Sequence, residues 1–350
     1  MKRLFFIMPV IGALCGIGCA GFSQQPVFTD IIGNEVLPIK LVKTEQTANN
    51  TVQVYFSGKT ELLSAEIFIP ETGETQLCAV EGMAIPETFF DLETELDTDG
   101  SYTAFAVTPA APIGIGAPFI LRGSVSDTAH SVLDFALPFE GVNTRPARLR
   151  ITEIRPLYGS KPKSEFIEFI VMEGGNLSGI TIMNVGDKQN PHYRFPAAEV
   201  SRGEVVVYHW RSVEDGICDE TTDTIRSGGT QACAAARDFW GPYTSIPKRN
   251  ANVILIKTRP NGDLQDAALY CTEKEFVKRT SASWNDEVLE QCAKAAAASG
   301  VWQGGAALSQ VIIAPLTASK SLARNVKAMV NGVDSWTVRS SKEVTMGKAY

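Results

Sequence analysis

Apolar residues that recur at every second position leave few folds open to this chain. Between Leu37 and Phe139, Val52, Val54 and Phe56 share one face of an extended segment while Thr51, Gln53 and Tyr55 share the other. The same alternation runs through Ala65, Ile67 and Ile69, through Phe119, Leu121, Gly123 and Val125, and through Leu133, Phe135 and Leu137. A period of two is that of a strand half buried in a sheet. Turn-formers separate the runs, among them Asn49-Asn50, Ser57-Gly58 and Asp97-Thr98-Asp99-Gly100. Short strands spaced by about 8–12 residues predict a sandwich or barrel. The chain has 350 residues, 44% of them hydrophobic, which is enough for two domains with full cores and excludes a disordered or fibrous protein.

Charge narrows the partners. There are 39 acidic and 32 basic residues, a formal net charge of −7, and Lys and Arg form no stripe that would hold a polyanion. Nucleic acid is therefore not an expected partner.

The amino terminus reads as an export signal. Lys2 and Arg3 precede an apolar run from Leu4 to Gly18, 15 residues where a spanning helix needs about 20. The run ends in Gly16-Ile17-Gly18-Cys19-Ala20, which resembles the lipobox of bacterial lipoproteins, although Gly16 stands where that pattern prefers Leu. The resemblance implies cleavage before Cys19, acylation of that residue, and a membrane contact made by lipid. Ordinary secretory cleavage after Ala20 is the alternative. With cleavage before Cys19 residues 1–18 are signal and 19–36 a tether, and on either reading losing Lys2 and Arg3 takes the net charge from −7 to −9.

Five cysteines follow, Cys78, Cys218, Cys233, Cys271 and Cys292, with no CxxC among them. In an oxidising compartment the last four can pair in three ways. The local pairs Cys218 with Cys233 and Cys271 with Cys292 are favoured because each closes a short loop. Buried, reduced thiols are the other reading.

Residues 37–140 are expected to form one sandwich. Within them Leu96-Asp97-Thr98-Asp99-Gly100-Ser101-Tyr102 resembles the entry to a late strand of immunoglobulin-like domains, where a corner tyrosine bonds back to the backbone; that resemblance gives Tyr102 a structural role. Asp97 and Asp99 lack the later carboxylate of a calcium loop and read as a solvated turn.

After the polar linker Gly141–Pro146 the pattern changes. Leu149-Arg150-Ile151-Thr152-Glu153-Ile154 is followed by Glu165-Phe166-Ile167-Glu168-Phe169, by Asn176-Leu177-Ser178-Gly179-Ile180-Thr181-Ile182, by Phe195-Pro196, and by Gly203-Glu204-Val205-Val206-Val207. Val253–Ile256, Asn261-Gly262-Asp263, Ser321–Arg324, Ser335-Trp336 and Gly347-Lys348 close the succession. Residues 147–350 thereby resemble the lamin-tail domain, which implies a second immunoglobulin-like sandwich. Glu153, Glu165 and Glu168 are read as structural or surface carboxylates. Two insertions, at about 210–251 and 272–320, exceed the family pattern, and each contains a helix-like stretch, Thr230 to Phe239 and Asn285 to Ser299, the latter preceded by Ser283 and followed by Gly300. Long insertions on a rigid sandwich are where recognition surfaces tend to be built.

Catalytic signatures are sparse. Only His130, His192 and His209 are available, Ser160-Lys161-Pro162-Lys163 matches SxxK without a helix start, and no GxSxG, HExxH or P-loop occurs. The expectation is a mainly β, exported, lipid-anchored cell-envelope protein that binds or scaffolds a protein or envelope partner, with no cofactor and no catalysis. One alternative is a secreted metal-dependent hydrolase with a site around His192, His209 and the acidic segment Asp215–Asp223. Another is a surface-exposed adhesin.

Overall fold

Alternation in the first half becomes one continuous sheet. Its strands are β1 (Leu41–Gln46), β2 (Val52–Ser57), β3 (Thr60–Ile69), β4 (Glu74–Met83), β5 (Tyr102–Pro109), β6 (Pro118–Asp127) and β7 (Val132–Glu140), in spatial order β1-β2-β5-β4-β3-β6-β7. The computed structural model describes residues 39–85, 101–157, 159, 165–188, 192–222, 224–244, 249–279 and 283–348. The signal segment, Cys19, the tether, Asp97–Gly100 and Ser160–Lys163 lie outside them. β4 pairs with β3 through Glu74–Leu77 and with β5 through Cys78–Met83, so it changes partner midway. That change lets the sheet curl until strands far apart in its order meet, as Phe56 of β2 and Phe135 of β7 do at 5.6 Å between ring centroids. The inward residues of β2, β6 and β7 form the first apolar cluster. The sheet folds over its own core, as the expected sandwich or barrel requires.

The second half is layered. A five-stranded sheet has the order β12-β11-β16-β17-β18, with β11 (Thr181–Asn184), β12 (His192–Arg194), β16 (Ala251–Lys257), β17 (Leu264–Thr272) and β18 (Ile312–Ala314). A six-stranded sheet has the order β15-β14-β9-β8-β19-β20, with β8 (Arg148–Arg155), β9 (Phe166–Glu173), β14 (Val205–Arg211), β15 (Arg237–Tyr243), β19 (Ser321–Arg324) and β20 (Trp336–Arg339). A short pair, β10 (Gly175–Asn176) and β13 (Glu199–Val200), lies beside them. Ile182, Ile254, Ile256 and Leu269 from the first sheet meet Ile154, Phe169, Tyr208 and Leu322 from the second in one core. Each large apolar side chain buried there contributes roughly 1.5–3 kcal/mol before the entropy of ordering is set against it.

Both insertions have a topological reason. β14 pairs with β15 in parallel, and β17 with β18 in parallel. A parallel pair cannot be closed by a tight turn and needs a connection of about a dozen residues or more. The first insertion makes that crossover without a helix. The Ala-rich stretch expected to be helical from Thr230 to Phe239 is turn and then strand, because Arg237, Asp238, Phe239 and Trp240 are drawn into register beside Val206–His209. Sheet pairing overrides local propensity there.

The second crossover carries α1 (Glu273–Lys278) and α2 (Glu287–Ala298). The cap of α2 is Asp286, whose carboxylate accepts from the N–H groups of Val288 and Leu289, so the helix begins later than Ser283 implied. Gly300, at φ +78°, leaves the helix in the left-handed region. Leu289, Ala293 and Ala296 face inward while Val288 is exposed. A hydrogen bond from Lys188 holds the Asp286 carboxyl below its ordinary range, with the two N–H groups adding to the effect. Its folded pKa is depressed, so the stability it contributes is present above the unfolded carboxylate pKa and is lost as pH falls through the folded value. The protection of the Val288 and Leu289 amides, relative to their intrinsic exchange at the same pH, is expected to fall in that acid window, and Asp286→Ala to remove about 1 kcal/mol at neutral pH in urea unfolding.

The expected disulfides are absent: Cys78, Cys218, Cys233, Cys271 and Cys292 are all free thiols. Cys271 is buried within β17 and donates to Thr272 O, and Cys233 is buried beside Asp238. Both are committed to packing rather than to their neighbours in sequence. Burial pushes the Cys78 and Cys271 thiols up to about 11, which keeps them protonated at neutral pH.

Candidate functional site

Successive residues of β14 point to opposite faces of the six-stranded sheet. Val206, Tyr208 and Trp210 enter the main core, and Val205, Val207, His209 and Arg211 take the other side. That other side is not open to water. Cys233 and Ala236 from the first insertion, with Val344 and Met346 from the C-terminal segment, pack onto Phe166, Val205 and Val207.

A polar row runs through this seam. Arg211 Nε donates to Glu165 Oε2 at 2.7 Å. His209 Nε2 and Asp238 Oδ1 are 2.7 Å apart, and the imidazole stacks on Trp240 at 3.8 Å between centroids. Glu168 accepts from Thr152 Oγ1 (2.7 Å) and from the backbone of Gly347 (2.8 Å). Glu153 accepts from Ser321 Oγ, from Arg339 Nη1 (3.1 Å) and from both the N–H (3.1 Å) and hydroxyl (2.6 Å) of Thr345. Glu153, Glu165 and Glu168, read from sequence as structural or surface carboxylates, are all buried. Buried charges persist only where they are paired and hydrogen-bonded, and these tie the C-terminal segment onto the sheet.

His209, Asp238 and Cys233 form the most chemically suggestive group in the row. A thiol, an imidazole and a carboxylate lie within 4.8 Å of one another and are all buried. In an open site they would be nucleophile, base and orienting acid. Here Asp238 Oδ2 is taken by the Cys233 N–H at 2.5 Å, and a Cβ added at Gly347 would stand 2.4 Å from the Cys233 Cβ, which leaves no room for a substrate. Burial, then the neighbouring Asp238, raises the thiol's pKa. As metal ligands the same residues are too close. Two donors on one tetrahedral zinc, at bond lengths of about 2.0–2.1 Å, stand about 3.3 Å apart, whereas Nε2 and Oδ1 are in direct hydrogen-bond contact at 2.7 Å.

The histidines of the hydrolase alternative are not brought together. His192 is in β12 of the five-stranded sheet, paired with Met183, while His209 is in β14 of the six-stranded one. Burial, followed by Lys257, lowers the pKa of His192. In the acidic segment Asp219 accepts from Trp240 N, Glu220 from Ser227 N and Asp238 N, and Glu214 from Thr230 N. Those carboxylates brace the insertion; Asp223 lies outside the described residues.

An open concavity lies elsewhere in the second half. A cavity of about 390 Å³ is lined by Arg148, Arg150, Arg202 and Arg324, by Asp266, and by Val301 and Gln303 of the second insertion. Arg324 Nη1 donates to both oxygens of Asp266, at 3.0 and 2.8 Å. Asp266 also accepts from Ile151 N (2.8 Å) and Asn331 Nδ2 (3.0 Å), so its acceptor capacity is filled. Arg150 donates to two carbonyls, Val326 O at 3.1 Å and Ala328 O, and among the described residues to no carboxylate. Burial and the adjacent Arg324 push its pKa below the usual guanidinium value. Arg148 pairs with Glu173 at 3.0 Å, both largely exposed. In the sequence Arg150 and Arg324 stand out only as members of the family pattern. The available signal was alternation: Arg148 and Arg150 flank buried Leu149 and therefore share the opposite face of β8.

Three comparisons bear on the chain. A family model described as TP_1001_2nd, protein second domain, matches residues 147–338. An uncharacterized protein of Treponema pallidum (strain Nichols) is 50% identical over 200 residues, 57% of this chain and 51% of the relative, so the chain spans about half the length of the curated relative it matches. The crystal structure of a DUF4876 family protein from Bacteroides thetaiotaomicron VPI-5482 aligns over 81% of this chain and 89% of its own, at 11% identity and a TM-score of 0.28, a likeness that carries no argument.

Proposed function

The chain belongs to the TP_1001_2nd second-domain family, and on that premise we propose that it is an exported, lipid-anchored cell-envelope protein that acts as a non-catalytic binding or scaffolding module. Both halves are read as immunoglobulin-like sandwiches, the second of lamin-tail type. The membrane is reached through acylated Cys19, and the partner is a protein or another envelope component.

One observation carries the non-catalytic part. The thiol, imidazole and carboxylate that could perform nucleophilic chemistry are buried under the C-terminal segment, whereas the accessible cavity offers guanidinium groups and apolar side chains, which bind and orient. Guanidinium groups stay protonated near neutral pH and are poor proton shuttles. A crossover forced by parallel pairing has been used to bring Val301 and Gln303 to the rim of that cavity.

The anchor is tested by metabolic labelling with a palmitate analogue. Wild type is expected to incorporate label and to partition into membranes, and Cys19→Ala to do neither. Equal, background incorporation by both would remove the lipid from the proposal and leave secretory cleavage after Ala20.

A further inference from the structure

We infer that the arginine-lined cavity is a binding site for a small molecule, or the end of a chain, that carries a carboxylate on an apolar body. The inference deepens the binding-module proposal and rests on it. The charge balance around the cavity is the starting point. Four guanidinium groups face two carboxylates, Asp266 and Glu173. Asp266 is saturated by Arg324, Ile151 N and Asn331, and Glu173 is engaged by Arg148. Arg150 has only carbonyl partners, and Arg202 has no ion-pair partner among the described residues. Arg202 is therefore uncompensated among the described residues, and Arg150 has only the electrostatic pull of Asp266, which Arg324 already engages, on a chain whose net charge is −7. The Nε atoms of Arg150 and Arg324 are, in addition, buried without a hydrogen-bond partner among the described residues, and the Arg324 side chain is only 5% exposed. Unmet donors on cations beside a cavity are what an incoming oxyanion satisfies.

The ligand class follows from geometry and lining. A guanidinium fork matches the planar, two-oxygen edge of a carboxylate. A volume of about 390 Å³ is near the lower end of small-molecule sites and excludes a folded partner. The lining is not purely charged: Met329 is 97% exposed and Val330 44%, beside Val301 and Met172, so an apolar body has a surface to cover. Inorganic phosphate would meet the charge but leave that surface in water.

Isothermal titration of the full chain with N-acetyl-leucine, N-acetyl-leucinamide and inorganic phosphate separates these demands. N-acetyl-leucine is expected to bind at least tenfold more tightly than its amide, the order of loss for a charge-assisted contact, and more tightly than phosphate, and to weaken as salt is raised. Arg202→Gln, an exposed position, is expected to weaken N-acetyl-leucine several-fold while leaving the urea midpoint unchanged. Equal binding of acid and amide, tighter binding of phosphate, or no heat from the acid at tens of millimolar would each overturn the inference. The binding-module proposal would survive those results if Cys19 is labelled, because its partner could then use another surface.

Discussion

Asp238→Ala is expected to lower the unfolding free energy by about 2–6 kcal/mol, the loss of leaving two buried donors without their acceptor. Asp238 is fully buried and engages two donors with its two oxygens, His209 Nε2 and the Cys233 N–H. Alanine leaves both unmet, at about 1–3 kcal/mol each. His209 has no second partner to fall back on, since its Nδ1 is already without one among the described residues. Asp238→Asn keeps the shape but turns one acceptor into a donor, so its loss is expected to be smaller and still above 1 kcal/mol. Urea unfolding at pH 7 measures both. A loss under 1 kcal/mol for the alanine variant would mean that the pair is hydrated in solution.

Asp266→Ala is expected to do comparable damage for a different reason. Asp266 compensates the buried Arg324, accepts from Ile151 N of β8, and bonds Asn331, which itself reaches Ala267 O and Val301 O. Removing it strands a buried guanidinium and loosens the join between the second insertion and the sheet, for a loss of about 3–5 kcal/mol. The double variant Asp266→Ala with Arg324→Met is expected to recover much of that loss in the same urea experiment, because no charge is then left unpaired. Strict additivity of the two single losses would show that Arg324 does not depend on Asp266.

How much of this was legible depends on whether the deciding contact is local. β2, β6 and β7 were readable because alternation at Val52, Val54 and Phe56, at Phe119 and Leu121, and at Leu133, Phe135 and Leu137 reflects which face of the same strand is buried. α2 was readable as a helix for a similar reason, although its cap proved to be Asp286 and not Ser283. What failed was long-range. Nothing between Thr230 and Phe239 announces that Val206–His209 will recruit Arg237–Trp240 as a parallel strand. The separation of His192 from His209 depends on which sheet each strand joins. Glu153 and Glu168 carry no local mark of burial, because the residues that bury them include Thr345 and Gly347, at the other end of the domain. The arginine-lined cavity was hidden in the same way, since Arg150, Arg202 and Arg324 come from β8, the turn before β14, and β19.

The proposed non-catalytic role turns on a seal over the thiol, imidazole and carboxylate that lie together under the C-terminal segment, and native thiol labelling tests that seal directly. The folded chain is treated with N-ethylmaleimide at pH 7 and each cysteine is followed by mass spectrometry. Cys218 and Cys292, both half-buried, are expected to react well before Cys233, which is buried under Met346 and Gly347 and held protonated. Cys233 is expected to react no faster than the chain unfolds. Rapid modification of Cys233 in the folded protein, at the rate of the half-buried thiols or above, would contradict the seal and return His209 and Asp238 to consideration as the base and orienting acid of an active site.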